Sequence, residues 1–519
     1  MQRSCAIRSV ALLLTILMLL GLLPMTALAA NDGATAQSGD IFDELRGKFY
    51  SMAVGGTYDP TDPALKEILT SINDTAQDYW NRMNKNPVSN AVKGSYRDAN
   101  DKLIEGLDAS QDYIWAEYPL GRRRSSSTVY INANSIHFTF QYLRAMALAY
   151  ETNGCALYHN QDMLKDIKAA IEFVYQNHFN PANARYGNWF SWQIGGPVYL
   201  GGTLMLLYDE FTQGEITKYA TALIHFLGKT TMTGANATWT ERVRMYAGIL
   251  LKDESWLDFV SSRLPGMLSY TTSKDGYYVD GTFVQHDKIT YNGGYGLMCL
   301  TDSAYLVYML AGTKWAVPKE KSDLIYRWVY ENYVPIVANG LTMDAFRGRE
   351  ITRYDTTQPR GTLIIANAML MLAETAPAET AADFKGYIKS WFSSQLMVDE
   401  MNHGADTPWY KFPLDTVVKV QSILKDSSIQ PKDLKGQMVQ MVSGARTVQF
   451  REKYASVLSM TSQTIANCEI GDSNAKGWYT GNGMLNLYTD DLERSEGVAK
   501  ATIDWYRLPG ATAVYGKSQ

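Results

Sequence analysis

Apolar residues recur at three- and four-residue spacing through most of residues 41–395. This periodicity predicts helices over residues 134–150, 162–178, 197–211, 215–227, 241–259, 297–310, 321–333 and 361–374. Strand-like alternation is almost absent there, and Gly, Pro, Asn and Asp mark the connections. Because each helical pair must bury its apolar face on neighbouring pairs, we expect a solenoid or a closed toroid of helical hairpins.

The hydrophobic pattern changes after residue 395. Shorter apolar runs separated by Gly, Asp, Asn and Ser follow, and such runs are typical of strands. They cover residues 417–424, 437–442, 447–450, 455–461 and 484–488. We therefore predict an α+β multidomain fold, in which residues 396–519 form the start of an antiparallel β-sandwich. A sheet of this size leaves edges uncovered, so we expect the sandwich to be incomplete in this chain.

The first residues have the features of a secretory signal. Arg3 and Arg8 precede an apolar run over residues 10–23, and Ala27-Leu28-Ala29 supplies small residues for cleavage. The alternative is an uncleaved membrane anchor, but the run is short for a bilayer span. We expect residues 1–29 to direct secretion and the mature chain to be extracellular, without a membrane segment.

Composition narrows the classes of partner and of chemistry. The chain has 48 Lys+Arg against 53 Asp+Glu, so bulk charge gives no attraction to nucleic acid or anionic membrane. The 34 Tyr and 12 Trp suit stacking on sugar rings, although such residues also fill cores. The sequence has no paired histidines or Cys-His cluster for a metal, no phosphate-binding glycine loop and no Gly-x-Ser-x-Gly motif. We expect no cofactor.

Three segments concentrate side chains that could carry chemistry. DGYYVDGTFVQH and YNGGYG, within residues 275–296, combine one histidine with several tyrosines. NWFSWQIGGP, residues 188–197, places three aromatic residues just before a helix. RGREITR, residues 347–353, holds three guanidinium groups, which bind carboxylates bidentately. Taken singly, each segment is more often structural: a hydrogen-bonding histidine, a core tryptophan or a solvated arginine face.

With TGAN at 233–236 and KGWYTGNGM at 476–484, these motifs resemble polysaccharide lyase family 8, the hyaluronate, chondroitin AC and xanthan lyases. The resemblance extends from about residue 140 to 519. It implies a helical toroid followed by antiparallel β-domains, in a secreted monomer. It also implies β-elimination on a uronate-containing acidic polysaccharide, with hyaluronan or chondroitin favoured over xanthan, and without a metal.

The resemblance also assigns roles to residues. Asn236, together with Arg349 or Arg353, would neutralise the uronate carboxylate, which makes the carbon 5 proton removable. His286 or Tyr295 would take that proton, and Tyr295 would protonate the leaving oxygen. The stereochemistry at carbon 5 decides between the two bases, so that choice stays open. The substrate-binding residues implied are Trp189, Phe190, Trp192, Arg353, Glu469 and Asn474.

Two other functions remain open at this level. One is an inactive, glycan-binding fragment of such a lyase. The other is an inverting glycosidase on a helical toroid, which needs two carboxylates about 6.5–9.5 Å apart. Asp275, Asp280 and Asp344 are candidates, but no pair stands out. The sequence does not decide which polymer is cut, or whether cutting is endolytic or exolytic.

Overall fold

The computed structural model describes most of the chain after residue 39. The described residues are 40–87, 92–97, 103–109, 113–120, 123–125, 128–130, 133–185, 187–229, 231–353, 357–403, 413–469, 474, 476–491 and 502–510. The predicted signal segment, residues 1–29, lies outside them.

Fourteen α-helices occur in the described residues. They are α1 Ile41–Val54, α2 Lys66–Arg82, α3 Asn134–Glu151, α4 Gln161–Asn177, α5 Gly196–Leu206, α6 Gln213–Leu227, α7 Gly234–Leu251, α8 Glu254–Met267, α9 Tyr295–Leu310, α10 Lys319–Trp328, α11 Gln358–Ala373, α12 Ala378–Trp391, α13 Gln395–His403 and α14 Leu414–Lys425. One π-helical turn, Ser191–Gly195, precedes α5, and another, Val329–Tyr333, follows α10.

The helices close into a ring. α3, α5, α7, α9 and α11 pack side by side in that order; α13 then packs on both α11 and α2, and α2 packs on α3. The intervening helices α4, α6, α8, α10 and α12 lie outside, each against its inner neighbour. α1 contacts α3, α5, α7 and α9. The predicted toroid of helical hairpins is confirmed.

The hydrophobic pattern of each helix explains whether it lies on the inner or the outer side of the ring. All but one of the residues of α11 are buried, as expected for a helix that is apolar on every side. α4 is amphipathic instead: its buried residues, at three- and four-residue spacing, are Met163, Leu164, Ile167, Ala170, Ile171 and Val174. The Asn160 side chain accepts from the backbone N–H of Met163 and so caps the start of α4.

Thirteen strands occur in the described residues, all in antiparallel sheets. β1 Val92–Arg97 pairs with β2 Leu103–Ala109, and β3 Arg123–Ser125 with β4 Thr128–Tyr130. β5 Gly276–Tyr277, β6 Phe283–Gln285 and β7 Ile289–Thr290 form a three-stranded sheet, and β8 Val337–Ala338 pairs with β9 Leu341–Thr342. The fifth sheet has four strands, β10 Met438–Met441, β11 Arg446–Phe450, β12 Ala455–Ser459 and β13 Met484–Tyr488, paired in that order.

The four-stranded sheet lies against the loops of the toroid. Arg446 Nε donates to the backbone oxygen of Ala345 at 2.8 Å, and the Tyr488 hydroxyl accepts from the backbone N–H of Asp344 at 2.9 Å. Thr290 of β7 donates from its hydroxyl to the Gly444 oxygen at 2.8 Å. These bonds join the sheet to the same loops that contain the candidate histidine and arginines.

Three expectations about secondary structure are wrong. Residues 417–424 are helical, within α14, because Leu414, Val417, Val420 and Ile423 share one buried face at three-residue spacing and pack on other helices. The change from helices to the four-stranded sheet therefore comes after Lys425. The helix predicted over 241–259 is two helices, because Lys252 adopts a left-handed conformation between α7 and α8. Strands, whose alternation pattern is almost absent before residue 395, are also more frequent there than expected: β1 to β9 lie in that part of the chain.

The packing around Gly281 generates a stability prediction. Gly281 has φ of 90°, and a Cβ there would collide with the backbone oxygen of Glu331. Gly436 has a similar φ of 82° with no described atom within 4 Å of the Cβ position. Gly436→Ala should therefore show backbone strain alone, about 1–2 kcal/mol. Gly281→Ala should lower the thermal unfolding midpoint clearly further; equal midpoints would contradict the close packing.

Candidate active site

The histidine lies in a tight turn between β6 and β7. His286 and Asp287 both have positive φ, 55° and 65°, in a region that few non-glycine residues adopt. The Asp275 carboxylate holds this turn: Oδ1 accepts from the backbone N–H of Asp287 at 2.7 Å, and Oδ2 from Gln285 Nε2 at 2.8 Å. The turn presents the imidazole at the surface, with a side chain 40% exposed.

The tyrosine begins helix α9, next to the histidine. The Tyr295 ring meets the His286 ring edge to face, with centroids 5.0 Å apart. Its other neighbour is Tyr291, which is fully buried with ring centroids 5.1 Å away. A Cβ at Gly294 or at Gly348 would collide with or crowd the Tyr291 ring. Gly294 and Gly348 therefore leave room for the Tyr291 ring, which packs against the candidate Tyr295.

Arg349 connects the tyrosine to a carboxylate. It lies in a short 3₁₀ segment, Gly348–Thr352. Its Nη2 donates to the Tyr295 hydroxyl oxygen at 3.2 Å, and its Nη1 donates to Glu469 Oε1 at 2.7 Å. Burial acts to lower the pKa of Arg349, but the neighbouring groups, which include the Glu469 and Glu350 carboxylates, together outweigh it, and the pKa is raised. The guanidinium therefore stays charged beside the phenol oxygen.

Glu469, from the segment after β12, joins the histidine and the arginine. Its Oε1 lies 2.6 Å from His286 Nδ1 and accepts from Arg349 Nη1 as well. An ionised carboxylate only accepts, so Nδ1 of His286 is the donor. In the neutral ring Nε2 is then the acceptor, which is the form that a general base needs.

Asn474 supports Glu469 rather than facing a cleft. Its Nδ2 donates to the backbone oxygen of Glu469 at 2.8 Å, and its side chain packs against Gly477. Asn474 is only 1% exposed. Burial excludes the direct substrate contact predicted for it, and its contacts fit a role in holding Glu469.

Asn236 is the third residue of α7, close to the histidine turn. Gly234 has φ of 56°, and a Cβ there would lie 2.9 Å from Gln285 Oε1, so the start of α7 lies against the residue that precedes His286. Asn236 is half-buried, and its amide has no hydrogen bond within the described part of the chain. It is therefore available to donate to a ligand.

The aromatic patch divides into surface and core residues. Trp189 is 42% exposed, and Phe190 beside it packs edge to face on Trp239 at 5.8 Å. Trp192 is fully buried instead, between Phe179 and Phe226. The prediction that Trp192 contacts substrate is wrong: the π-helical turn that contains it directs this ring into the toroid core.

Arg353 has its own carboxylate partner. Its Nη1 donates to both oxygens of Glu350, at 2.7 and 2.8 Å, and the Tyr291 hydroxyl donates to Glu350 Oε1 at 3.2 Å. Burial and then Glu350 raise the pKa of Tyr291, so its hydroxyl stays protonated as a donor. Arg349 and Arg353 are thus fixed by two different glutamates.

Sequence reasoning missed Tyr291, Glu350 and Gln285, which hold the candidate residues in place. The glycine pair after Tyr291 and the glutamate between two arginines were the available signals. The contacts that give these residues their roles, such as Tyr291 against Gly294 and Glu350 with Arg353, are visible only in the folded structure.

The aspartates needed for a glycosidase have structural roles. Asp275 holds the histidine turn, and Asp280 accepts backbone N–H groups from two loops. Asp344 Oδ1 forms an ion pair with Arg347 at 2.7 Å. Among the described residues no group of three or more His, Cys, Asp or Glu side chains is arranged to hold a metal ion.

The assembled site has two candidate bases and two kinds of donor. His286 offers Nε2, Tyr295 a phenol oxygen beside a cation, Arg349 positive charge and Asn236 a neutral amide. This combination suits removal of a carbon-bound proton next to a carboxylate, because developing charge on the substrate meets preorganised donors.

Comparison with known proteins agrees with the motifs. Residues 50–390 match the profile of the polysaccharide lyase family 8 N-terminal alpha-helical domain, and residues 439–519 match that of its super-sandwich domain. A xanthan lyase of Bacillus sp. (strain GL1) is 32% identical over 92% of this chain and 48% of its own length. A hyaluronate lyase of Thermasporomyces composti is 28% identical over 92% of this chain and 57% of its own.

Solved structures show the same relationship. A Paenibacillus xanthan lyase superposes with a TM-score of 0.81 at 33% identity, covering 93% of this chain and 43% of that one. A Streptomyces coelicolor A3 chondroitin AC lyase in complex with chondroitin sulphate gives 0.79 at 26% identity, covering 93% and 62%. The chain spans about half the length of the relatives it matches, 48% and 57%. On its helical toroid, its motifs and these matches, the chain belongs to polysaccharide lyase family 8.

Proposed function

We propose that this chain is a secreted lyase that cleaves a uronate-containing acidic polysaccharide by β-elimination. The observation that carries the proposal is the hydrogen-bonded series of Tyr295, Arg349, Glu469 and His286. The start of α7, which contains Asn236, lies against Gln285, the residue before His286. The relatives named as xanthan, hyaluronate and chondroitin AC lyases support the same class of reaction.

The proposed reaction follows from the groups present. Asn236 and Arg349 bind the uronate carboxylate and stabilise the negative charge that develops when carbon 5 loses its proton. His286 Nε2 or Tyr295 Oη takes that proton. The electron pair forms a double bond between carbons 4 and 5, and the bond from carbon 4 to the glycosidic oxygen breaks. Tyr295 protonates the leaving oxygen.

Secretion and substrate choice form part of the proposal. The signal features of residues 1–29 support export. In the described part of the chain, no helix has both the length and the apolar character of a membrane span. We propose hyaluronan, chondroitin sulfate and xanthan as substrates to test, with a monomer as the acting form.

The first prediction concerns the reaction itself. Ultraviolet absorbance should rise when the chain is incubated with one of these three polymers without added metal, because elimination creates a double bond conjugated to a carboxylate. Tyr295→Phe should lose at least about 100-fold in turnover. Tyr278→Phe is the matched control, since its hydroxyl donates within its own loop, to Lys274 O. Full turnover by Tyr295→Phe would refute the role of Tyr295.

The second prediction concerns the carboxylate donor. Asn236→Ala should reduce turnover by about 10- to 1000-fold, since one preorganised donor to the developing charge is lost. Asn236→Asp, almost the same size, should be at least as damaging because it sets a negative charge against the uronate. Rates are measured by the same absorbance assay. Unchanged rates in both variants would exclude Asn236 from charge stabilisation.

The third prediction concerns Glu469. Glu469→Gln keeps the size and shape of the side chain but removes its negative charge, which orients the His286 ring and pairs with Arg349. Turnover should therefore fall by about tenfold or more. Glu452→Gln, on an exposed side chain, is the control. Thermal melting of both variants separates catalysis from folding. Wild-type turnover in Glu469→Gln would show that the bridge does not position the site.

A further inference from the structure

A cavity of about 380 Å³ lies inside the helical ring, beyond the aromatic patch. Phe190 and Arg353 line it, so it reaches the residues that adjoin the candidate active site. The polar residues in its wall include Gln141, Arg144, Tyr199, Arg242, Asp302 and Tyr305. The volume is that of a small-molecule site and not of a packing defect.

One cation in this wall lacks a counter-charge. Arg242 Nη1 forms an ion pair with Asp302 at 2.8 Å. Arg144 has no acidic partner among the described residues, and its nearest charged or polarisable neighbours include Arg242 and Tyr246. Burial lowers the pKa of Arg144 to about 10, so it is still protonated at neutral pH. Arg144 is half-buried and lines the cavity, and a cation placed there without an acidic partner favours an anionic ligand.

A second polar group in the wall is also unsatisfied. Both the oxygen and the nitrogen of the Gln141 amide are buried without a hydrogen-bond partner in the described residues. Gln141 is 5% exposed and stands one turn before Arg144 on α3, so the two side chains share a face of that helix. An amide that can donate and accept, beside a guanidinium, matches a hydroxyl next to a carboxylate.

The remaining wall suits a sugar ring. Tyr199, Tyr246 and Tyr305 line the cavity with flat rings, and Tyr246 accepts from Arg242 Nε at 2.9 Å. A Cβ at Gly202 would lie 3.0 Å from Arg144 Nε, so this glycine leaves room for the guanidinium. His137, another titratable group of the wall, is neutral, because burial lowers its pKa to about 4.

We propose that this cavity binds one acidic monosaccharide unit, with its carboxylate on Arg144 and a hydroxyl on Gln141. The proposed function supplies the ligand, since the glycan would carry that unit on a chain end or branch beside the cleavage site. The cavity would then select substrates by an acidic sugar that is not the one undergoing elimination.

Calorimetric titration of the full chain with sodium glucuronate, glucose and sodium sulfate tests the proposal. Glucuronate should bind, glucose should bind at least about tenfold more weakly, and Arg144→Gln should weaken glucuronate binding by about tenfold or more. Arg144→Lys should retain part of the affinity. Arg327→Gln, an exposed arginine outside the cavity, should match the wild type.

Gln141→Leu keeps the test informative if the arginine variants fold poorly. Removing an unsatisfied buried amide should raise the thermal unfolding midpoint. The same variant should weaken glucuronate binding, because the hydroxyl contact is lost. Unchanged glucuronate affinity in both Arg144→Gln and Gln141→Leu would overturn the proposal.

The remaining outcomes separate the ligand classes and the two proposals. Sulfate that binds as tightly as glucuronate, and displaces it, would make the cavity a general oxyanion site and would overturn the sugar assignment. If glucuronate binding depends on Arg144 but absorbance does not rise with any of the polymers, the proposed sugar site is supported and the proposed lyase activity is refuted. If absorbance rises but glucuronate binding does not depend on Arg144, the lyase activity is supported and the sugar site is refuted.

Discussion

The site depends on one carboxylate oxygen. Glu469 Oε1 accepts from the imidazole of His286 and from the guanidinium of Arg349, two groups that belong to different loops of the toroid. Glu469 itself comes from the β-sheet side of the molecule, 120 residues after Arg349. The segment between β12 and β13 therefore supplies the negative charge that orients His286 and holds Arg349 beside Tyr295.

A second constraint lies beneath this bridge. Tyr291 is fully buried between glycines that leave room for its ring, and its hydroxyl donates to Glu350, which in turn holds Arg353. The two arginines of the RGREITR segment are thus set by two carboxylates, one in the toroid and one from the sheet side. Two nearby guanidinium groups repel each other, and separate anionic partners offset that repulsion.

The ring of helices explains why polar groups accumulate inside it. Side chains that point inward from α3, α5, α7 and α9 meet a space that they do not fill, and this space contains Arg144 and the unsatisfied Gln141 amide. Apolar side chains in place of these polar groups would give a more stable fold. Unsatisfied polar groups beside a candidate active site are the usual sign that stability has been given up for binding.

The sequence by itself determined most helices, the later strands and the motifs of the family, because helical periodicity and local motifs are properties of neighbouring residues. Periodicity left a solenoid and a toroid both open, and the resemblance to the family favoured the toroid. Through the resemblance it also proposed Asn236, His286, Tyr295 and Arg349 as candidate site residues. Periodicity could not tell that residues 417–424 are a helix, since a short apolar run suits either structure until its packing partners are known. Only the tertiary structure decided that Trp192 and Asn474 are buried, that Glu469 joins histidine to arginine, and that Arg144 faces a cavity. Each of these depends on contacts between segments far apart in the chain, which no local pattern encodes.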